Sequence, residues 1–173
     1  LTLINALAAE GCESLSYTES KSAQPHLLFD STPVSIAREQ WPDYRLIARA
    51  KTLNNELTVK GAILIQASRG IKDLSSLKGE WVSFVGKTSW PGYHLPLELL
   101  NKAGINKETN HFYFAESHVG SVSALLHRDV LVSVAAEPLA QRWAKPNGLS
   151  IIAVTDEVET GGWWVHSSVH SAR

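Results

Sequence analysis

The chain has 173 residues, 44% hydrophobic and 19% charged, with a formal net charge of −1; this suits one substantial domain or two small lobes and excludes a disordered or coiled-coil chain. So balanced a charge leaves no footprint for nucleic acid and no polybasic membrane patch, while small neutral or anionic ligands remain open as partners. Cys12 is the only cysteine, which excludes an internal disulfide and a thiolate metal centre, and no apolar run approaches membrane-spanning length.

Leu1 opens directly on an amphipathic pattern with no signal-like core, and the chain has no methionine, so it reads as mature or trimmed. Residues 3–9 have helical apolar spacing and stop at Gly11, a suitable C-cap. The polar stretch to about Gln24 reads as loop with at most a short strand. His26-Leu27-Leu28-Phe29 is a short apolar run that meets Asp30-Ser31-Thr32-Pro33, a helix start with a capping oxygen and Pro in the first turn. Val34, Ile36, Ala37 and Trp41 then supply a buried helix face, and Pro42 ends it.

Residues 45–50 read as a strand, Asn54-Asn55 as a turn, and residues 57–67 as one long strand rich in Val and Ile. A short helix or turn over residues 71–79 leads into a strand at 81–85. The pattern then predicts a helix over 93–103 ending at Gly104, a strand over 111–115 and a helix over 119–127. Residues 130–136 form a continuous apolar strand of the kind buried in parallel sheets. A helix over 138–144, a strand over 149–154 and a last strand over 162–166 complete the chain. Strands alternating with helices of about ten residues indicate βαβ units and an α/β fold with a mainly parallel sheet.

Three turns repeat one arrangement, an apolar strand followed by hydroxyl residues and a helix: Phe29-Asp30-Ser31-Thr32-Pro33, Val85-Gly86-Lys87-Thr88-Ser89 and Phe114-Ala115-Glu116-Ser117-His118. In an open α/β sheet the carboxyl ends of the strands form the ligand crevice, and helix N-termini there offer free N–H groups and partial positive charge to an oxyanion. Ser, Thr and Asp are also the commonest helix caps, so each turn alone has a purely structural reading. Asp30 and Glu116 would repel an anion unless they bond an amine or a protonated oxyacid. Glu137, between a buried strand and Pro138, suits a ligand ammonium group or simply the start of a helix.

Gly161-Gly162-Trp163-Trp164 marks either a bend where aromatic surface closes on something, or one core and one surface tryptophan. Of the seven histidines, only His166 and His170 have helical i, i+4 spacing, and no carboxylate completes a ligand set, so no metal is expected. A nucleophile elbow, a P-loop and a dinucleotide fingerprint are all missing. The residues imply neither a cofactor nor an enzyme.

Asp73-Leu74-Ser75-Ser76-Leu77-Lys78-Gly79 before the strand at 81–85, Gly92-Tyr93 with Pro96, Ala103-Gly104-Ile105, and Ser117-His118 resemble, in order, motifs of the phosphate/phosphite/phosphonate-binding proteins of ABC transporters. Phe29-Asp30-Ser31-Thr32-Pro33 with Ala37-Arg38-Glu39 resembles that family's first-lobe element, and the likeness covers roughly residues 26–166. It implies a type II periplasmic binding protein: two α/β lobes with mainly parallel sheets, the first lobe abbreviated or truncated. The expected division is a partial first lobe over 1–55, a second lobe over 56–157, and a return segment over 158–173. The crossings near 51–58 and 154–161 would be hinges.

By position, the family's oxyanion-holding turns nominate Thr88, Ser89, Trp90, Ser117 and His118. Tyr93 and Glu137 join them, and the crevice argument adds Ser31 and Thr32. Trp90-Pro91 stands where the family carries hydroxyls, which implies a ligand with an apolar or aromatic portion. The implied function is an extracytoplasmic solute-binding protein that delivers a small phosphonate-like anion to an ABC permease. The rivals are a ligand-binding sensor domain with a signalling partner and an enzyme of cofactor-precursor biosynthesis on the same fold.

Overall fold

The computed structural model describes residues 24–52 and 54–169. The expected helix over 3–9, its Gly11 cap, Cys12 and His170 lie outside the described residues. The elements in chain order are β1 (Leu27–Asp30), α1 (Val34–Gln40), β2 (Tyr44–Arg49), β3 (Thr58–Val59), β4 (Gly61–Gln66), β5 (Trp81–Phe84), α2 (Leu95–Lys102), β6 (His111–Phe114), α3 (His118–Leu126), β7 (Val132–Ala136), α4 (Glu137–Ala144), β8 (Leu149–Val154), β9 (Val158–Glu159) and β10 (Gly162–His166). Short 3-10 turns occupy Ala67–Arg69, Leu74–Leu77 and Lys145–Asn147, and a π-helical turn at Trp90–His94 precedes α2.

A five-stranded sheet in the order β6-β5-β7-β4-β8 forms the larger body. β5 pairs in parallel with both β6 and β7, whereas β4 runs antiparallel to β7 and β8. Four strands therefore share one direction and β4 opposes them. β4 is buried along five of its six residues, with Ala62 and Leu64 in the cluster beneath α3 and α4 and Ile63 and Ile65 in the cluster beneath α2. Continuous apolar runs suit a strand covered on both faces.

The three-stranded sheet, β1-β10-β2, is antiparallel throughout. The α/β class stands, but the expectation of mainly parallel pairing holds only for β5 with its neighbours. The reason lies in connectivity. Parallel neighbours need a crossover helix between them, which β5, β6 and β7 have, whereas β4 follows directly on β3 and β10 returns to the three-stranded sheet with none.

The single long strand expected over 57–67 is two. β3 pairs with β9 as a two-stranded ribbon (Thr58↔Glu159, Val59↔Val158), and the chain redirects at Lys60 into β4. This ribbon joins the two bodies. Glu159 fastens it to the first lobe, lying 3.8 Å from Arg49 and accepting from the Ser35 N–H at 3.1 Å.

Of the paired tryptophans, Trp164 is buried with Val34 and Ala37 beneath α1. Trp163 is half-buried on the opposite face, its ring 5.2 Å from Phe29. A Cβ at Gly161 would collide with the Asp30 carbonyl and the Ser31 backbone, and one at Gly162 with the Ala48 carbonyl. The glycines therefore serve close backbone approach.

Candidate functional site at the interlobe edge

The carboxyl ends of β5 and β6 lie side by side, with Phe84 opposite Phe114 and the Ala115 N–H donating to the Phe84 carbonyl at 2.9 Å. The turns that follow carry two of the nominated serines. Ser89 is the N-cap of the π-helical turn, its Oγ accepting from the Gly92 N–H at 3.0 Å. Ser117 is the N-cap of α3, its Oγ accepting from the Gly120 N–H at 2.9 Å. The structural reading of both is thus correct, yet it leaves room for the functional one. A hydroxyl that accepts a backbone N–H keeps its own O–H free to donate.

His118 opens α3. Its Nδ1 accepts the Ala136 N–H at 3.1 Å, so the neutral ring carries its proton on Nε2. Burial holds the imidazole below its ordinary value of 6.5. The ring thus ties the end of β7 to α3 and retains one neutral donor.

What fixes α3 in depth is a serine contact the sequence reading did not single out. Buried Ser121 donates to the Ser83 carbonyl at 3.0 Å, lies 3.0 Å from Ser133 Oγ and accepts from the Val134 N–H at 3.3 Å. The available signal was a hydroxyl at the centre of three otherwise apolar segments.

Glu116 adopts φ 60, a left-handed conformation rare for a side chain of this kind and often found where strain is held for a function. Its carboxylate lies 3.7 Å from the position a Gly86 Cβ would take, so it leans across from one turn to the other. Lys87 Nζ sits 5.5 Å above the Phe114 ring. Thr88 is exposed beside it, and its carbonyl accepts from Ser31 Oγ at 3.5 Å, a contact from the first lobe to the second.

Around Thr32 the expectation needs correcting. α1 has Pro33 at its N-cap with no side-chain cap. Asp30 Oδ1 instead accepts from the Thr32 N–H at 2.8 Å and Oδ2 from Trp41 Nε1 at 2.6 Å. The first-lobe turn is thus closed by its own carboxylate, with both oxygens engaged inside that lobe.

Three further nominees sit differently. Trp90 is half-buried in the π-helical turn with its ring 4.8 Å from His94. Tyr93 is 8% exposed and packs edge-on against Phe84 at 5.2 Å, in the core beneath the turn. Glu137 accepts from Gln141 Nε2 at 3.0 Å and lines a polar cleft of about 310 Å3 with Thr58, Lys60 and Glu157, beside the β3–β9 ribbon. Ser89, Ser117 and His118 therefore sit on adjoining strand ends, whereas Glu137 lines a cleft to which none of them contributes. No group of three His, Cys, Asp or Glu side chains suited to a metal occurs among the described residues.

Residues 27–173 match the family model described as the periplasmic substrate-binding protein of a phosphonate ABC transporter. No curated protein matches the chain significantly in sequence. Among solved structures, the methylphosphonate complex of a PhnD1 protein from Prochlorococcus marinus superposes with a TM-score of 0.67 at 16% identity, over 82% of this chain and 57% of that one. A binding protein of an ABC phosphonate transporter from Pseudomonas aeruginosa gives 0.62 at 12% identity, over 84% and 52%. The aliphatic sulphonate-binding protein of Escherichia coli gives 0.56 at 15% identity, over 83% and 45%.

The chain thus spans about half the length of these structural relatives, and at such identities they establish the fold, that of type II periplasmic binding proteins, and nothing finer. The match to the family model, which covers most of the sequence, decides the rest: the chain belongs to the phosphonate-type periplasmic substrate-binding proteins of ABC transporters.

Proposed function

We propose that this chain works outside the cytoplasm as the solute-receiving component of an ABC importer, without catalysis. Its ligand is a small organic oxyanion of phosphonate type, held between the lobes. The observation that carries this reading is the pair of capped turns on adjoining strands. Ser89 and Ser117 each keep an O–H donor after capping, and His118 keeps its Nε2–H. Neutral donors at helix N-termini bind an oxyanion without a buried counter-charge. Ser31 reaches Thr88 from the first lobe at 3.5 Å, which supports closure of that lobe over the same edge.

In this reading the lobes are residues 1–55 and 56–157, residues 158–173 return to the first lobe, and the β3–β9 ribbon is the hinge. Trp90 and Pro91 leave fewer hydroxyl donors on one wall, which favours a ligand with an apolar substituent over inorganic phosphate. The matched family consists of transporter binding proteins, so neither the sensor reading nor the enzyme reading gains support.

The test is a thermal-shift and calorimetry series with methylphosphonate, larger alkyl- and arylphosphonates, phosphate, sulphonates and small carboxylates. Alkyl- or arylphosphonates should stabilise the protein most, and Ser89→Ala with Ser117→Ala should abolish the shift. If no anion stabilises it, the oxyanion reading is wrong.

A further inference from the structure

A second cleft lies at the opposite end of the five-stranded sheet, where β4 ends and β5 and β7 begin. It measures about 240 Å3. Its floor is apolar and buried, formed by Leu125 and Val130. Gln66 closes one side, its Nε2 donating to the Leu125 carbonyl at 3.2 Å.

Four exposed charged residues line the opening, Arg69 and Arg128 with Glu80 and Asp129. None pairs with another, since the ion pairs among the described residues are Arg49–Glu159 and Lys102–Glu98. Opposite charges around one small opening gain something by pairing. Unpaired, they leave both signs available to a guest.

Two further features bear on the same place. Trp81 is 48% exposed, and its indole is stacked on His111 at 4.8 Å, so an apolar surface is presented in a fixed orientation. Arg128 adopts φ 66 just beyond α3, a position where glycine is the usual occupant. An arginine is thus placed where the backbone would favour a residue with no side chain.

We propose that this cleft is a second binding site, separate from the interlobe edge, for a small zwitterion of the α-amino-acid type with an apolar side chain. The guanidinium groups of Arg69 and Arg128 receive the carboxylate, and Glu80 and Asp129 receive the ammonium group. Trp81 and the floor take the apolar side chain. The site does not depend on the interlobe reading.

The test is a 1H–15N titration of the intact chain with L-leucine, N-acetyl-leucine and leucinamide, following the Trp81 indole N–H. L-leucine at about 10 mM, suited to a weak complex, should shift that signal, with each singly charged analogue binding at least about tenfold more weakly. Arg69→Ala with Arg128→Ala should remove the response, while Ser89→Ala with Ser117→Ala should leave it intact. Glu80→Gln with Asp129→Asn, which leaves the floor untouched, should reverse the preference toward N-acetyl-leucine. The proposal is overturned by an unmoved Trp81 signal, by equal binding of the blocked analogues, or by shifts confined to the Ser89 and Ser117 turns.

Discussion

At the scale of single residues, Ser89, Ser117 and His118 each have a structural task that must be separated from any ligand. Ser117→Ala should cost about 1 kcal/mol of stability as a lost N-cap, and Ser117→Gly only a few tenths. Both remove the hydroxyl donor, so chemical denaturation beside calorimetry with a phosphonate divides the two roles. For His118, asparagine places an oxygen near the Nδ1 position and lacks the Nε2–H. His118→Asn should hold the Ala136 N–H and stability while weakening anion binding. His118→Ala should destabilise by roughly 1–3 kcal/mol, since that N–H then loses its partner in a half-buried place. Because burial lowers the folded-state value of His118, its contribution to stability is complete above the ordinary value of 6.5. It is lost as pH falls from there through the folded value, because the unfolded chain takes up the proton first. Midpoints of urea unfolding between pH 7.5 and 5 should therefore fall with acid, and less steeply in His118→Asn. The caps at Ser89 and Ser117 were legible in the sequence because capping is decided within four residues. The partner of Asp30 was not, since Trp41 lies a helix away.

At the scale of elements, the π-helical turn at Trp90–His94 is held from two sides. A Cβ on Gly61 would sit 2.5 Å from Pro96 Cγ and 2.6 Å from the Pro91 carbonyl, and the Gly92 carbonyl accepts from the Val85 N–H at 3.0 Å. Gly61→Ala should therefore cost about 1–3 kcal/mol by overpacking and displace the Ser89 turn, visible as lost stabilisation by phosphonates. Ser121→Ala should leave α3 formed yet free to slide, since its ties to Ser83, Ser133 and Val134 vanish together. Unfolding midpoints and the Ser117 amide shift would report both effects. The helices and strands themselves followed from apolar period and capping. The break at Lys60 did not, because Lys60-Gly61 is a brief interruption between two β-favouring runs, and only the ribbon formed with β9, distant in sequence, redirects the chain.

At the scale of the whole molecule, the two bodies differ in how much they bury. Among the described residues, the five-stranded sheet has an extensive cluster on each face, whereas the buried cluster beneath α1 consists of Val34, Ala37 and Trp164. Apolar burial sets local stability, so amides of β1, β2 and β10 should exchange before those of β4, β5 and β7, as hydrogen exchange will measure. Uniform protection across both bodies would contradict this. Glu159→Gln removes the charge facing Arg49 and weakens the bond between the β3–β9 ribbon and the three-stranded sheet, and should accelerate exchange at Arg49 and Ser35 while β4 is unchanged. The sequence by itself determined the alternation of strands and helices, the hydroxyl turns and the family likeness, because period, capping and short motifs are local properties. The tertiary structure decided the direction of β4, the closing of the first-lobe turn on its own carboxylate, the burial of Tyr93 and the placing of Glu137 in a cleft beside the β3–β9 ribbon. Each of these depends on which distant segments come into contact, and no local pattern encodes that.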